Sequence, residues 1–140
     1  MPASQTALYL AAVTYAGTAA ISSVIAVRDN VPGEPLGITV PLSVPSALAV
    51  GWGAGIAPPW FMPVTALVAA RRARLGGSFP ATVAASIGFA TIAGHLIEPV
   101  TRQPRSWTLA TRTSIAMMIT SPALLAAAGL ARRKVVASRS

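Results

Sequence analysis

The stretch FPATVAASIGFATIAGHLIEP, residues 79–99, decides the fold. From Phe79 to Ile97 its only ionisable side chain is His95, and its length is close to the roughly 20 residues a helix needs to cross about 30 Å of hydrocarbon. Ser78 stands where an N-cap belongs, Pro80 falls in the first turn, and Pro99 ends the run, so start and stop are both written locally. Within it Ala84, Gly88, Thr91, His95 and Glu98 recur at helical spacing. They form one stripe, small in its first half and polar at its end. In lipid, small residues let backbones approach and hydroxyls bond across helices, so this stripe faces a bundle interior.

Three further apolar stretches of similar length, residues 4–27, 46–70 and 107–131, flank this one and give four expected spans. The expected fold is all-α: residues 1–140 as a single transmembrane domain, an integral membrane four-helix bundle running up-down-up-down. Ser4, Ser46 and Ser106 are the expected N-caps of the other spans. In the second, Gly51 and Gly55 have the GxxxG spacing of close helix packing, and Pro58, Pro59 and Pro63 predict a kink. In the first, Ala11, Thr14, Thr18 and Ser22 make a second small and polar stripe leading to Asp29. Trp107 at the outer start of the fourth span and Tyr9 near the inner start of the first fit an aromatic belt.

Charge supplies the orientation. Four spans place both termini and the 71–78 loop on one side, with Arg71, Arg72, Arg74, Arg132, Arg133, Lys134 and Arg139. The other side holds Arg28, Arg102, Arg105 and Arg112, and all three acids, Asp29, Glu34 and Glu98. The basic excess predicts cytoplasmic N and C termini in an inner (plasma) membrane. The first stretch lacks a basic leader and exceeds a signal-peptide core in length, so a retained span is expected rather than a cleaved one.

Composition excludes several functions. Of 140 residues 54% are hydrophobic and 10% charged, too apolar for a soluble domain of this size. The net charge of +8 comes from clusters flanking apolar runs with no aromatic residues interleaved, so anionic lipid headgroups are the expected partner and nucleic acid is not. With no cysteine, thiolate metal sites, disulfides and cysteine nucleophiles are ruled out. Abundant Ala, Gly, Pro and Arg beside a single lysine suggests a GC-rich bacterial genome.

The candidate site gathers at the acidic end. His95 and Glu98 share a helix face, and Arg112 starts about 9 Å into the expected antiparallel neighbour, so a Glu98–Arg112 ion pair is expected. As chemistry, His95 and Glu98 would be an acid/base pair and Arg112 would stabilise charge. Asp29, Arg102 and Arg105 near the headgroups, and Trp60 beside the prolines, are the expected ligand-binding residues. His95 and Glu98 offer only two metal ligands, so neither metal nor cofactor is expected. Two functional readings follow: a lipid-like ligand-binding protein or accessory subunit of a larger membrane complex, with a membrane-protein partner or a homo-oligomer; or a small membrane enzyme acting on a hydrophobic substrate. The plain alternative leaves Glu98 as a helix end, Arg112 turned to phosphates and His95 bonded to a carbonyl.

Overall fold

The computed structural model describes residues 3–103 and 106–138, and among these the chain is helical with no strand. Its helices are α1 (Ala3–Arg28), α2 (Val44–Ala49), α3 (Phe61–Arg72), α4 (Phe79–Ile97), α5 (Pro99–Arg102) and α6 (Leu109–Ala137). Short 3-10 turns lie at Pro35–Gly37 and Ala73–Leu75. Three helices, α1, α4 and α6, are long and apolar enough to cross a membrane. Arg105 and Arg139 lie outside the described residues.

The burial pattern is that of a protein whose solvent is lipid. Large apolar side chains such as Val24, Val68, Phe79, Phe89 and Leu124 point outward, while Thr18, Ser22, Thr91, Ser114 and Ser121 are buried. A soluble bundle would reverse this, because its helices associate by hiding apolar area from water. Here association rests on close packing and interhelical hydrogen bonds. The stripe on α4 is buried along its whole length. On α1 the interior face runs through Leu8, Tyr15, Thr18 and Ser22, and Thr14 is exposed.

The second stretch departs from expectation. Residues 46–70 form no kinked helix: α2 stops at Ala49, an irregular segment follows, and α3 begins only at Phe61. Gly51 and Gly53 take φ of 79° and 92°, a left-handed conformation that breaks a helix, and the tandem Pro58 and Pro59 cannot restart one. Gly51 and Gly55 are therefore not a helix-packing pair. Pro63 sits in the first turn of α3, where its missing N–H costs nothing, so it makes no kink there. The irregular backbone bonds to itself, Ala54 N–H to Ala57 O at 2.8 Å and Ala57 N–H to Ala54 O at 3.0 Å. It is also buried in protein, with Ile56 and Ala57 packed among Ala26, Val31, Val44 and Val100. That is the condition under which non-helical backbone survives at membrane depth.

Packing between the long helices is close and antiparallel. A Cβ on Gly88 of α4 would lie 2.5 Å from Pro122 O, and one on Gly129 of α6 would lie 2.7 Å from Ala81 O. α1 also runs antiparallel to α6: Ser114 donates to Ser22 at 2.6 Å, and the chain just past α1 meets the start of α6 through Asp29. α1 and α4 are joined by Tyr15 and Thr91, whose hydroxyls are 2.8 Å apart. At the other end, buried Arg132 of α6 donates to Ala73 O at 3.1 Å, fastening the turn after α3. Arg74 stacks on Tyr9, 4.3 Å from the ring centre.

Caps correct the sequence expectation at three helices. Thr108, rather than Ser106, caps α6 by accepting the Thr111 N–H, and Ser43, rather than Ser46, caps α2. Ser4 lies inside α1. Ser78 holds the N-cap position of α4 but makes no side-chain cap bond. In the first of these, Asp29 decides: its carboxylate binds both Thr108 and Thr111 and so orients the chain into the helix.

Candidate functional site

α4 carries its polar residues to one end, where the irregular segment 50–60 leaves a hollow beside it. This pocket has a volume of about 350 Å³ and is lined by Thr91, Gly94, His95 and Glu98 from one side and by Trp52, Pro59, Phe61 and Met62 from the other. Pro35, from the loop that follows α1, closes its rim. The hollow exists because glycine and proline stop the second stretch from lying flat against α4. A groove of about 430 Å³ between α3 and α4 continues from it, sharing Phe61, Met62 and Ala90, and is lined almost wholly by apolar surface. A third hollow of about 190 Å³ adjoins that groove through Thr65, Phe79 and Val83 and ends at Arg72.

The two polar groups of the pocket are held differently. His95 is 4% exposed, and its Nδ1 donates to Thr91 O at 2.9 Å, one turn back. That bond puts the ring proton on Nδ1 and leaves Nε2 as an acceptor. Nε2 takes no hydrogen bond from the described residues, although the Ile56 backbone lies beside the ring. Glu98 ends α4 and is 9% exposed. Its Oε2 accepts the Glu34 N–H at 2.8 Å, tying the loop after α1 over the pocket mouth. Burial pushes the Glu98 carboxyl above its ordinary range; the Glu34 N–H draws it back, the Glu34 carboxylate raises it again, and Arg102 lowers it.

His95 and Glu98 therefore meet in one pocket, as their spacing predicts, but Arg112 does not join them. Arg112 is exposed near the start of α6, and no Glu98–Arg112 ion pair occurs among the described residues. α6 begins at Leu109 and not at Ser106, so Arg112 lies in its first turn, and its position around the helix leaves it exposed. Arg102 also turns aside, donating to Ile97 O at 2.9 Å and so capping the last turn of α4. Asp29 pairs with Arg28 at 2.8 Å and takes the Thr108 and Thr111 hydroxyls, bonds that hold its carboxyl well below the usual carboxylate range. It stabilises the positive end of α6 and lines no pocket with His95. Trp60 packs edge-on to Phe61, ring centres 6.3 Å apart, and is absent from the pocket wall.

Trp52, 51% exposed and part of that wall, escapes a reading based on helical periodicity. As the W of GWGAG it falls in a stretch whose apolar length predicts a helix that does not form. Thr91 and Tyr15 were findable in part, since a hydroxyl on the interior stripe of one span seeks a partner on another. Among the described residues no group of three or more His, Asp or Glu side chains is arranged to hold a metal ion. The arrangement can accept a hydrogen bond or a positive charge at Glu98, above an apolar trough. No protein-family model matches the chain, and no curated protein or solved structure matches it either.

Proposed function

We propose that this chain is a small multi-pass protein of a bacterial plasma membrane that holds a lipid-like molecule along the seam between α3 and α4. One observation carries the reading: the three adjoining hollows make a continuous apolar trough from Glu98 at one end of α4 to Arg72 at the other. Soluble metabolites have no use for such a surface, whereas an alkyl or isoprenoid chain would cover it. In this reading the chain crosses four times, up-down-up-down, the second crossing being broken. α3 alone spans about 18 Å of the roughly 30 Å core, and the irregular segment above it fills much of the rest. The termini are cytoplasmic, supported by Arg71, Arg72, Arg74, Arg133 and Lys134 at one end against Arg102, Arg112 and the Asp29-paired Arg28 at the other.

The test is native mass spectrometry of the protein released from mild detergent, wild type beside Gly94→Leu. A Cβ on Gly94 would meet nothing within 4 Å, so leucine there enters the pocket without disturbing the helix. Wild type should carry a copurifying lipid that Gly94→Leu lacks at equal thermal stability. Lipid retained equally by both, or none on either, overturns the reading, and a stable larger protein complex instead would favour an accessory subunit. The enzyme reading draws support from the unpartnered Nε2 of His95 beside Glu98, and it proceeds without Arg112.

A further inference from the structure

The trough is apolar along most of its length, so the character of its occupant is set by the polar end. Among the described residues Glu98 is the one charged side chain that lines the pocket, and no described arginine or lysine does. The nearby cations are spent elsewhere: Arg102 on the Ile97 carbonyl and Arg28 on Asp29. Glu34, whose N–H holds Oε2 of Glu98, adds a negative charge that acts on that carboxyl from a neighbouring hollow lined by Pro32, Pro99 and Trp107. Oε1 of Glu98 takes no hydrogen bond from the described residues. Trp52 and Phe61, both about half exposed, bring aromatic surface to the same hollow. Aromatic faces attract cations through their quadrupole, and a carboxylate beside them adds charge. A phosphate, sulfate or carboxylate head would meet the like charge of Glu98, offset only in part by Arg102, which acts on that carboxyl from outside the pocket wall.

We infer, on the basis of the groove reading above, that the occupant is an amphiphilic organic cation, an alkyl chain ending in a quaternary or protonated amine, with its charged end at Glu98 beside Trp52 and Phe61 and its chain between α3 and α4. This replaces the anionic headgroup that a count of arginines favours, because none of the described arginines lines the pocket.

Binding is read from tryptophan fluorescence of the full chain in a nonionic, sugar-headed detergent at pH 8, titrated with octyltrimethylammonium, octyl sulfate and octanol, which share one tail. Octyltrimethylammonium should bind about tenfold or more tighter than octyl sulfate, a difference of about 1.4 kcal/mol. Glu98→Gln keeps an oxygen for the Glu34 N–H, so the fold survives; it should weaken the ammonium about tenfold and leave octanol unchanged. Trp52→Leu should likewise weaken the ammonium selectively. Gly94→Leu should abolish binding of all three. If octyl sulfate or octanol binds as tightly as the ammonium, or neither Glu98→Gln nor Trp52→Leu discriminates, while Gly94→Leu still abolishes binding, the charge assignment is overturned and the groove stands. If none of the three binds, or Gly94→Leu leaves them unaffected, the groove reading falls and this inference with it.

Discussion

Placing a methyl group on Gly88 and on Gly94, two glycines of the same helix, should move stability in opposite directions. The Cβ of Gly88→Ala would stand 2.5 Å from Pro122 O and 2.8 Å from Ala126 N, both backbone atoms that cannot rotate away. To reach ordinary van der Waals contact α4 and α6 must separate locally by roughly 1 Å, a gap that forfeits about a quarter to a half of each affected dispersion contact. Overpacking of this kind costs about 1–3 kcal/mol. Alanine's better helix propensity returns up to about 1 kcal/mol, leaving a net loss of up to about 2 kcal/mol. For a chain of this length that lowers Tm by up to roughly 8 °C. Gly94→Ala meets nothing within 4 Å, so only the propensity gain remains and Tm should hold or rise slightly. Thermal unfolding in mild detergent, followed by tryptophan fluorescence, reads both. A Gly88→Ala protein at least as stable as Gly94→Ala would refute the close α4/α6 seam.

Other expectations follow from the caps and the acids. Thr108→Ala should cost about 1 kcal/mol and Ser106→Ala almost nothing, because Thr108 accepts the Thr111 N–H; equal melting curves for the two would return the cap to Ser106. Burial raises the Glu98 carboxyl, so its contribution to stability is complete below the unfolded-state value and is lost as pH rises through the folded-state value. Glu98→Gln should therefore gain on wild type with rising pH, and a gain that shrinks with rising pH would mean that the carboxylate is ion-paired after all. Asp29 has the opposite sign: its depressed carboxyl adds stability above the unfolded-state value, lost as pH falls through the folded-state value. Wild type should thus outlast Asp29→Asn at neutral pH and converge with it in acid, which melting curves across a pH series would check.

Much of the architecture is legible along the chain. The limits of α4 match the apolar run from Phe79 to Ile97, and α1 agrees with residues 4–27 to within a residue at each end. α6 starts two residues after the expected 107 and runs to Ala137, beyond the expected 131, since Arg132 is buried against Ala73 instead of marking the helix end. The interior stripe of α4 is likewise readable, because helical spacing fixes which side chains share a face. His95 and Glu98 meet for that reason. Arg112 does not reach them, because rise along an axis gives depth while rotation about it depends on how α6 packs.

Hydropathy and length thus determined three long apolar helices, and the distribution of acids determined which end carries the polar site. Both are properties of local sequence, since transfer to lipid depends on composition over about 20 residues. Whether residues 46–70 would kink or break was decided by the tertiary structure: the irregular backbone from Gly51 to Trp60 is tolerable only because the loop after α1, α5 and the ends of α1 and α6 bury it. That same packing made the pocket, brought Trp52 to its wall and turned Arg102 and Arg112 away. Those outcomes depend on contacts between residues far apart in the chain, which no local periodicity records.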